Sequence, residues 1–428
     1  MPNPAGHNGH RTGTRPPDAV LSAVLHEFAR RNMKNKERVM ELSLQHGYNI
    51  STRQLMRHNL EFNVPSKRKL PPGPVVVSRI MHKVDQDTAM RNGPKAIADQ
   101  LRTDPFAVPF LIGRRDRVRK VMWENKPEGR ALRHPGYRKP AIPRGVIDTT
   151  ALLMETHFDG HEKLSFAALN LGDGIGIPIY GGREQLSGAV GVLEAVPNDR
   201  DGVIVAHCFL DHIELSGNLM SVQATMDKGT EVGWIIRLQE ELRERMMPDV
   251  DPQTFPATVN MTSTRNVMIE GLWHWLLKTC GINLKEYLLN GRRDGIFIPG
   301  NELHRNLFRW LWPKIVQRAL DQFRQYWNLH QTRRQPGKPN PSGRTPDYIW
   351  RYHAELGYPS VGVYVPPEVM QEMRALLPLT REEAYRWVED DFAHNAELAY
   401  DTIGRPELIP SHGWDIFVDM LGILDDYY

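Results

Sequence analysis

The sequence predicts a multidomain α/β protein: a mixed sheet with helices on its faces, preceded by basic helical units and followed by a helical extension. Three observations predict it. A chain of 428 residues, 40% hydrophobic and 25% charged, has the composition of a soluble globular protein and room for roughly two to four domains. Before residue 145 the apolar residues recur at helical spacing, and from Val146 they fall in short runs bounded by turn residues. After Gly281 the pattern is helical again and rich in aromatic side chains.

Residues 1–19 are mostly Pro, Gly, Asn, His and Arg, with little to bury, and read as a disordered tail. Residues 20–70 read as three short helices; Gly47 stops the second, Ser51 caps the third, and the third carries Arg53, Arg57 and His58. The linker LPPGP leads into residues 71–145, where VVVSRIMHKVDQD, GPKAIADQLRTD and RRDRVRKVMWEN repeat the arrangement in kind. The last of these carries Arg114, Arg115, Arg117, Arg119 and Lys120. One such unit is either a helix-turn-helix or a plain bundle with a solvated basic face; two in tandem favour DNA contact. Between Leu111 and Gly145 there are eleven Lys/Arg against three Asp/Glu, which suits a polyanion. From Thr380 to Tyr428 there are twelve Asp/Glu against three Lys/Arg, so nucleic acid is not expected over the whole chain.

Residues 146–335 are expected to form the sheet domain. LLMETHFD, LSFAALNL and SGAVGVLEAVP read as three strands, joined by turn-rich pieces such as GDGIG and PNDRDG. There follow a helix (GVIVAHCFLDHIEL), a strand (SVQATMD), a helix (VGWIIRLQEELRERM), a strand (FPATVNM) and a helix (STRNVMIEGLWHWLLKT). Five strands are expected, the first three antiparallel, with the strand ending at Asp227 parallel and adjacent to the one ending at Asp159. That order is the order of a ribonuclease-H-like fold. Residues 336–428 read as a loop within QPGKPNPSGRTP and an acidic helical extension.

Three carboxylates stand at deliberate places. Asp159 is expected where the first strand stops, Asp227 at the end of a neighbouring strand, and ligand sites in open sheets gather at such ends. In the long helix Asn266, Glu270, His274 and Lys278 fall four apart on one polar stripe, against apolar residues that include Val267, Trp273 and Trp275. Three hard oxygen ligands of this kind can hold two Mg²⁺ (or Mn²⁺) ions about 3.5–4 Å apart and support phosphodiester chemistry. Each acid has a plainer reading, Asp159 and Asp227 as turn residues and Glu270 as a solvated helix position. Their joint occurrence on strand, strand and helix favours the metal. His161 and Glu162 read either as supporting groups or, preferably, as a turn pair.

With these residues in view, the span from about 150 to 350 resembles the integrase core of retroviral integrases and DDE-type transposases, most closely the integrase-core proteins of fungal mobile elements. The resemblance rests on DGHEKL, PIYGGREQLSG, DKGTEVG and NVMIEGLWHWL in that order, and on YWNLHQTRRQPGKPNPSGRTPDYIW after them. It implies Asp159, Asp227 and Glu270 as catalytic, metal-binding acids. It also implies cleavage of DNA ends and joining of a 3′-hydroxyl to target DNA, a homo-oligomer on double-stranded DNA, and a nuclear location. Asn266, His274 and Lys278 become candidates for substrate-end contact, and His330, Arg333 and Arg334 for phosphate contact. The aromatic residues Phe308, Trp310, Trp312, Phe323, Tyr326 and Trp327 are either core, as their helical spacing favours, or a base-stacking surface.

The chain departs from retroviral integrases in lacking a His-His-Cys-Cys zinc module, because its two cysteines, Cys208 and Cys280, both fall inside the core. They are expected to be reduced, buried thiols. No apolar run approaches the roughly 20 residues of a membrane helix, and the N-terminal stretch lacks a secretory signal, so an intracellular protein without a membrane is expected. Two rival readings remain: a domesticated relative that binds DNA without cutting it, and a nuclease of the same fold that only hydrolyses.

Overall fold

A computed structural model describes residues 13–31, 33–66, 73–103, 115–133, 149–161, 164–165, 169–172, 174–261, 266–335 and 340–425. By contacts the chain divides into two units, one of Met1–Asp85 with Asn92–Pro135 and one of Gln86–Arg91 with Gly136–Tyr428.

The first unit is helical. Helices α1 (Asp18–Arg30), α2 (Asn35–His46) and α3 (Thr52–Glu61) enclose Leu21, Leu25, Phe28, Leu42 and Leu55. Gly47 takes a left-handed φ of 60° as the C-cap of α2, a conformation that favours glycine. Ser51 caps α3, accepting from the Gln54 amide while Gln54 reaches back to the Ser51 N–H. Helices α4 (Gly73–Asp85), α5 (Pro94–Thr103) and α6 (Arg115–Asn125) build a separate core from Val76, Ile80, Ile97, Leu101, Val118 and Met122. A short α7 (Glu128–Arg133) follows. Gly73 and Pro74 of the expected linker are the first residues of α4, where the missing proline N–H costs nothing.

The second unit is built on a five-stranded mixed sheet of order β3-β2-β1-β5-β6. Its strands are β1 (Glu155–His161), β2 (Ile179–Glu184), β3 (Val190–Ala195), β5 (Gln223–Asp227) and β6 (Thr258–Met261). The pairs β1–β2 and β2–β3 are antiparallel and β1–β5 is parallel, as expected, and β5–β6 is parallel as well. A separate two-stranded sheet pairs β4 (Leu219–Met220) with β7 (Val363–Tyr364).

One strand was expected in the wrong place. The described residues of LSFAALNL are not in a strand, and Leu164, Leu169 and Leu171 are buried in an irregular segment. The second strand is instead IYGGRE, whose paired glycines look like a turn. They are required by packing. A Cβ on Gly181 would lie 2.9 Å from the Trp273 ring, and one on Gly182 would lie 2.7 Å from the Phe158 ring and 2.9 Å from His212 Nδ1.

Alternation along the strands gives each face its own core. Phe158, Val192, Ala224 and Met226 pack against α8 (Gly202–Leu215) and α9 (Gly233–Met246). Ile179 and Leu193 pack against α10 (Val267–Leu276) and α12 (Glu302–Leu329). Between them α11 (Ile282–Arg293) continues from a π-turn, Leu277–Gly281.

Helix α12 also closes the edge of the sheet. Gln317 accepts from the Ala195 N–H (2.8 Å) and donates to the Leu193 carbonyl (3.2 Å). Asn328 pairs both backbone groups of Val190 at 2.9 Å, and Arg324 donates to the Gly191 carbonyl at 2.6 Å. Polar side chains thus occupy ladder positions that another strand would otherwise seek. The six aromatic residues singled out on α12 are all buried, so they are core.

The C-terminal region consists of α13 (Pro346–Arg351), α14 (Pro367–Ala375), α15 (Arg381–Ala384), α16 (Asp390–Thr402) and α17 (Gly413–Leu424). It is bonded into the same unit. Arg374 reaches Asp211 (2.6 Å) and Glu214 (2.7 Å) on α8, Arg381 reaches Asp211 (2.8 Å), and the Trp414 ring lies 4.8 Å from that of Trp312. Cys208 is buried and Cys280 half-buried, both as free thiols. No helix among the described residues is long and apolar enough to cross a membrane.

Candidate functional site

The site is set by strand register. In the parallel pair β1–β5, Glu155 faces Gln223, Thr156 faces Ala224 and His157 faces Thr225. The pairing runs as far as His157 and Thr225, and Asp159 and Asp227 each follow two residues further along these neighbouring parallel strands. Asp159 was expected at the strand end but lies inside it: β1 runs on through Gly160 to His161, with Asp159 opposite Gly181. His161 is therefore no turn residue. It is buried, and its ring stacks on Trp273 at 4.8 Å and 15°. Glu162 lies outside the described residues.

Helix α10 covers this face of β1. Trp273 Nε1 donates to Asp159 Oδ2 at 2.8 Å, through the space that Gly181 leaves open. Asn266, next to the first residue of α10, is completely buried. Its Oδ1 accepts from His157 Nδ1 at 2.7 Å, and its Nδ2 donates to the Phe158 carbonyl (3.3 Å) and to Asp227 Oδ1 (3.4 Å). Arg183 of β2 donates to the Met268 carbonyl at 2.6 Å, tying the first turn of α10 to the sheet. Burial pushes Arg183 down to about 10 and holds His157 below the usual histidine range.

Of the three expected acids, Asp159 feels the other two. Burial raises the Asp159 carboxyl to about 7, the Trp273 bond opposes the rise, and the charges of Asp227 and Glu270 add to it. Asp227 is also raised, by burial first and then by Glu231. Asp159, Asp199 and Glu231 all act on the buried Tyr180, so the carboxylates extend beyond the three that were expected. Among the described residues no group of three or more His, Cys, Asp and Glu is placed so that it could hold a metal ion, Asp159, Asp227 and Glu270 included. The donor set is nevertheless one of hard oxygens, the type that Mg²⁺ and Mn²⁺ take.

The expected DNA contacts divide. Asn266 is overturned as one: it is internal and bonds strand to strand. Glu270, His274 and Lys278 are exposed, with Lys278 inside the π-turn, and Val267 (50%) and Trp275 (48%) are exposed beside them. The apolar belt expected around the helix is therefore open on this side. His330 stacks on Tyr326 at 5.7 Å and bonds the Trp327 carbonyl, so it belongs to the aromatic core margin. Arg333 and Arg334 are exposed.

On α3, Arg53 and Arg57 are exposed together with Met56 and Leu60, at the i, i+3, i+4, i+7 spacing of one helix face. His58 points inward, between Tyr48 (3.1 Å) and Glu61 (2.8 Å). On α6, Arg119 bonds Asp116 at 2.7 Å and lies over Trp123, and Lys120 is 3.8 Å from Glu124. Arg115 is exposed and Arg117 half-buried; Arg114 lies outside the described residues.

Trp273 and His157 are the side chains that sequence reasoning missed. Trp273 was counted with the apolar core, although Asn266, Glu270 and Trp273 have the four-and-three spacing of a single helix face. Compared with models of known protein families the chain matches none, and none of the curated proteins it was compared with matches it either.

Proposed function

We propose that the chain is a DDE-type polynucleotidyl transferase, an integrase or transposase whose second unit is a ribonuclease-H-like catalytic core. The observation that carries this reading is that Asp159 and Asp227 lie on neighbouring parallel strands beneath α10, where Trp273 bonds Asp159 and Asn266 bonds Asp227. The strand order, with three antiparallel strands followed by two parallel ones, supports the ribonuclease-H-like assignment.

Asp159, Asp227 and Glu270 would hold two Mg²⁺ or Mn²⁺ ions, which when bound supply Lewis acidity to the phosphodiester and to the attacking hydroxyl. Sites of this kind leave much of the coordination to water and phosphate oxygens, so a cage closed by protein is not required. The chain's own groups do the rest. Trp273 and the sheet hold Asp159 in one orientation, and Asn266 orients Asp227. His274 and Lys278, exposed on the helix that carries Glu270, meet phosphates of the DNA end. Arg53 and Arg57 on α3, with Arg115 and Arg117 on α6, bind double-stranded DNA outside the catalytic unit, and two ends are handled by a homo-oligomer in the nucleus.

The test is incubation of the purified full chain with Mg²⁺ or Mn²⁺ and candidate element-end duplexes, with the products separated by size. Metal-dependent nicking together with joined products supports the reading. Nicks without joining indicate a hydrolytic nuclease. Binding without either product indicates a protein that keeps DNA recognition alone.

A further inference from the structure

Helix α10 and the residue before it bond two carboxylates of the proposed site and carry the third. Asn266, Glu270 and Trp273 are spaced by four and three residues, so they lie on one side of the helix axis. Asn266 donates to Asp227, Trp273 donates to Asp159, and Glu270 is itself the third acid. Neither donor is loosely placed. The Asn266 amide is oriented by the Phe158 carbonyl and Asp227, which both accept from Nδ2, and this leaves Oδ1 to accept from His157 Nδ1. The indole of Trp273 stacks on the His161 ring and comes so near Gly181 that a Cβ there would lie 2.9 Å from it.

We infer that Asn266 and Trp273 are positioning residues for the ion site, and that α10 assembles the site as a single element. The inference rests on the proposed reading of the acids as ion ligands. If α10 shifts or rotates, Asp159 and Asp227 lose their orienting bonds at the same moment that Glu270 leaves. Simple packing of a helix on a sheet would not require a side-chain bond to each aspartate, nor a completely buried asparagine shared between β1 and β5.

The test is Mn²⁺ affinity of the DNA-free full chain, read from the electron paramagnetic resonance of free Mn²⁺, with a thermal melt of each variant. Asn266→Ala and Trp273→Phe, the latter keeping a ring on His161 while removing the N–H, should each weaken Mn²⁺ binding by about 10–100-fold. In turnover both should lower kcat with KM for DNA little changed. Trp275→Phe, at the exposed tryptophan two residues on, should bind Mn²⁺ like the wild type. Asp227→Asn separates the two levels of the account. If it binds Mn²⁺ as well as the wild type does, the ion-site reading itself falls. If it loses binding while Asn266→Ala and Trp273→Phe retain it, only the positioning role falls. Should Asn266→Ala fail to fold, the Trp273→Phe result decides.

Discussion

Asp159 and His212 make opposite demands on pH. Burial and its acidic neighbours hold Asp159 at about 7 instead of 3.8, so the folded chain binds this proton more tightly than the unfolded chain. The group's contribution is therefore most favourable below about pH 4 and is lost as pH rises towards 7, a change of up to about 4 kcal/mol at about 1.4 kcal/mol per unit. In cation-free buffer at pH 7.5, Asp159→Asn should raise Tm by a few degrees, and Mg²⁺ should raise the Tm of the wild type but not of the variant. His212 is buried, with neither ring nitrogen hydrogen-bonded among the described residues, and burial pushes it down to about 4. Its sign is reversed: stability is full above about pH 6.5 and falls as pH drops through 6.5 towards 4, by up to about 3 kcal/mol. His212→Leu should shrink the loss of Tm between pH 7.5 and pH 5, as differential scanning calorimetry would show; an unchanged loss would place the acid sensitivity elsewhere.

At the scale of elements, the two glycines of β2 and the exposed face of α3 decide what was legible in the sequence. Helices with clear periodicity, such as α4, α6 and α9, could be read directly because burial of one face leaves a repeating pattern. β2 could not, because Gly181 and Gly182 are dictated by rings from β1 and α10 and by His212 of α8, none of them sequence neighbours. Gly181→Ala should displace Trp273, costing about 1–3 kcal/mol by overpacking, and should lower Mn²⁺ affinity with it; a stability loss with normal ion binding would detach Trp273 from the site. On α3 the exposed arginines have no partner among the described residues, whereas Arg119 and Lys120 on α6 are matched by Asp116 and Glu124. Arg53→Ala and Arg57→Ala should each flatten the salt dependence of DNA binding by about one unit of slope, and Arg119→Ala by less. Fluorescence anisotropy across a salt series measures this, and equal slopes for all three variants would contradict the role given to α3.

For the molecule as a whole, the placing of Asp159, Asp227 and Glu270 on strand, strand and helix was readable, and the side chains bonded to the two aspartates were not. Asp159, Asp227 and Glu270 announce themselves by charge at the ends or centre of apolar elements. The orientation of two of them depends on Asn266 and Trp273, which in one dimension look like a helix-start polar residue and a core aromatic. The central claim is that Asp227 orients a cation for phosphoryl transfer and does not merely end a strand. It is tested most directly by measuring end cleavage and joining by Asp227→Asn beside the wild type, with DNA affinity determined on the same preparations. Replacement by Asn keeps the side chain's size and removes the charge. The account predicts a loss of about 10³-fold or more in both reactions, as when one metal position is removed from a site that works by electrostatic stabilisation, with DNA binding retained or tightened. Near-normal cleavage by Asp227→Asn would contradict it.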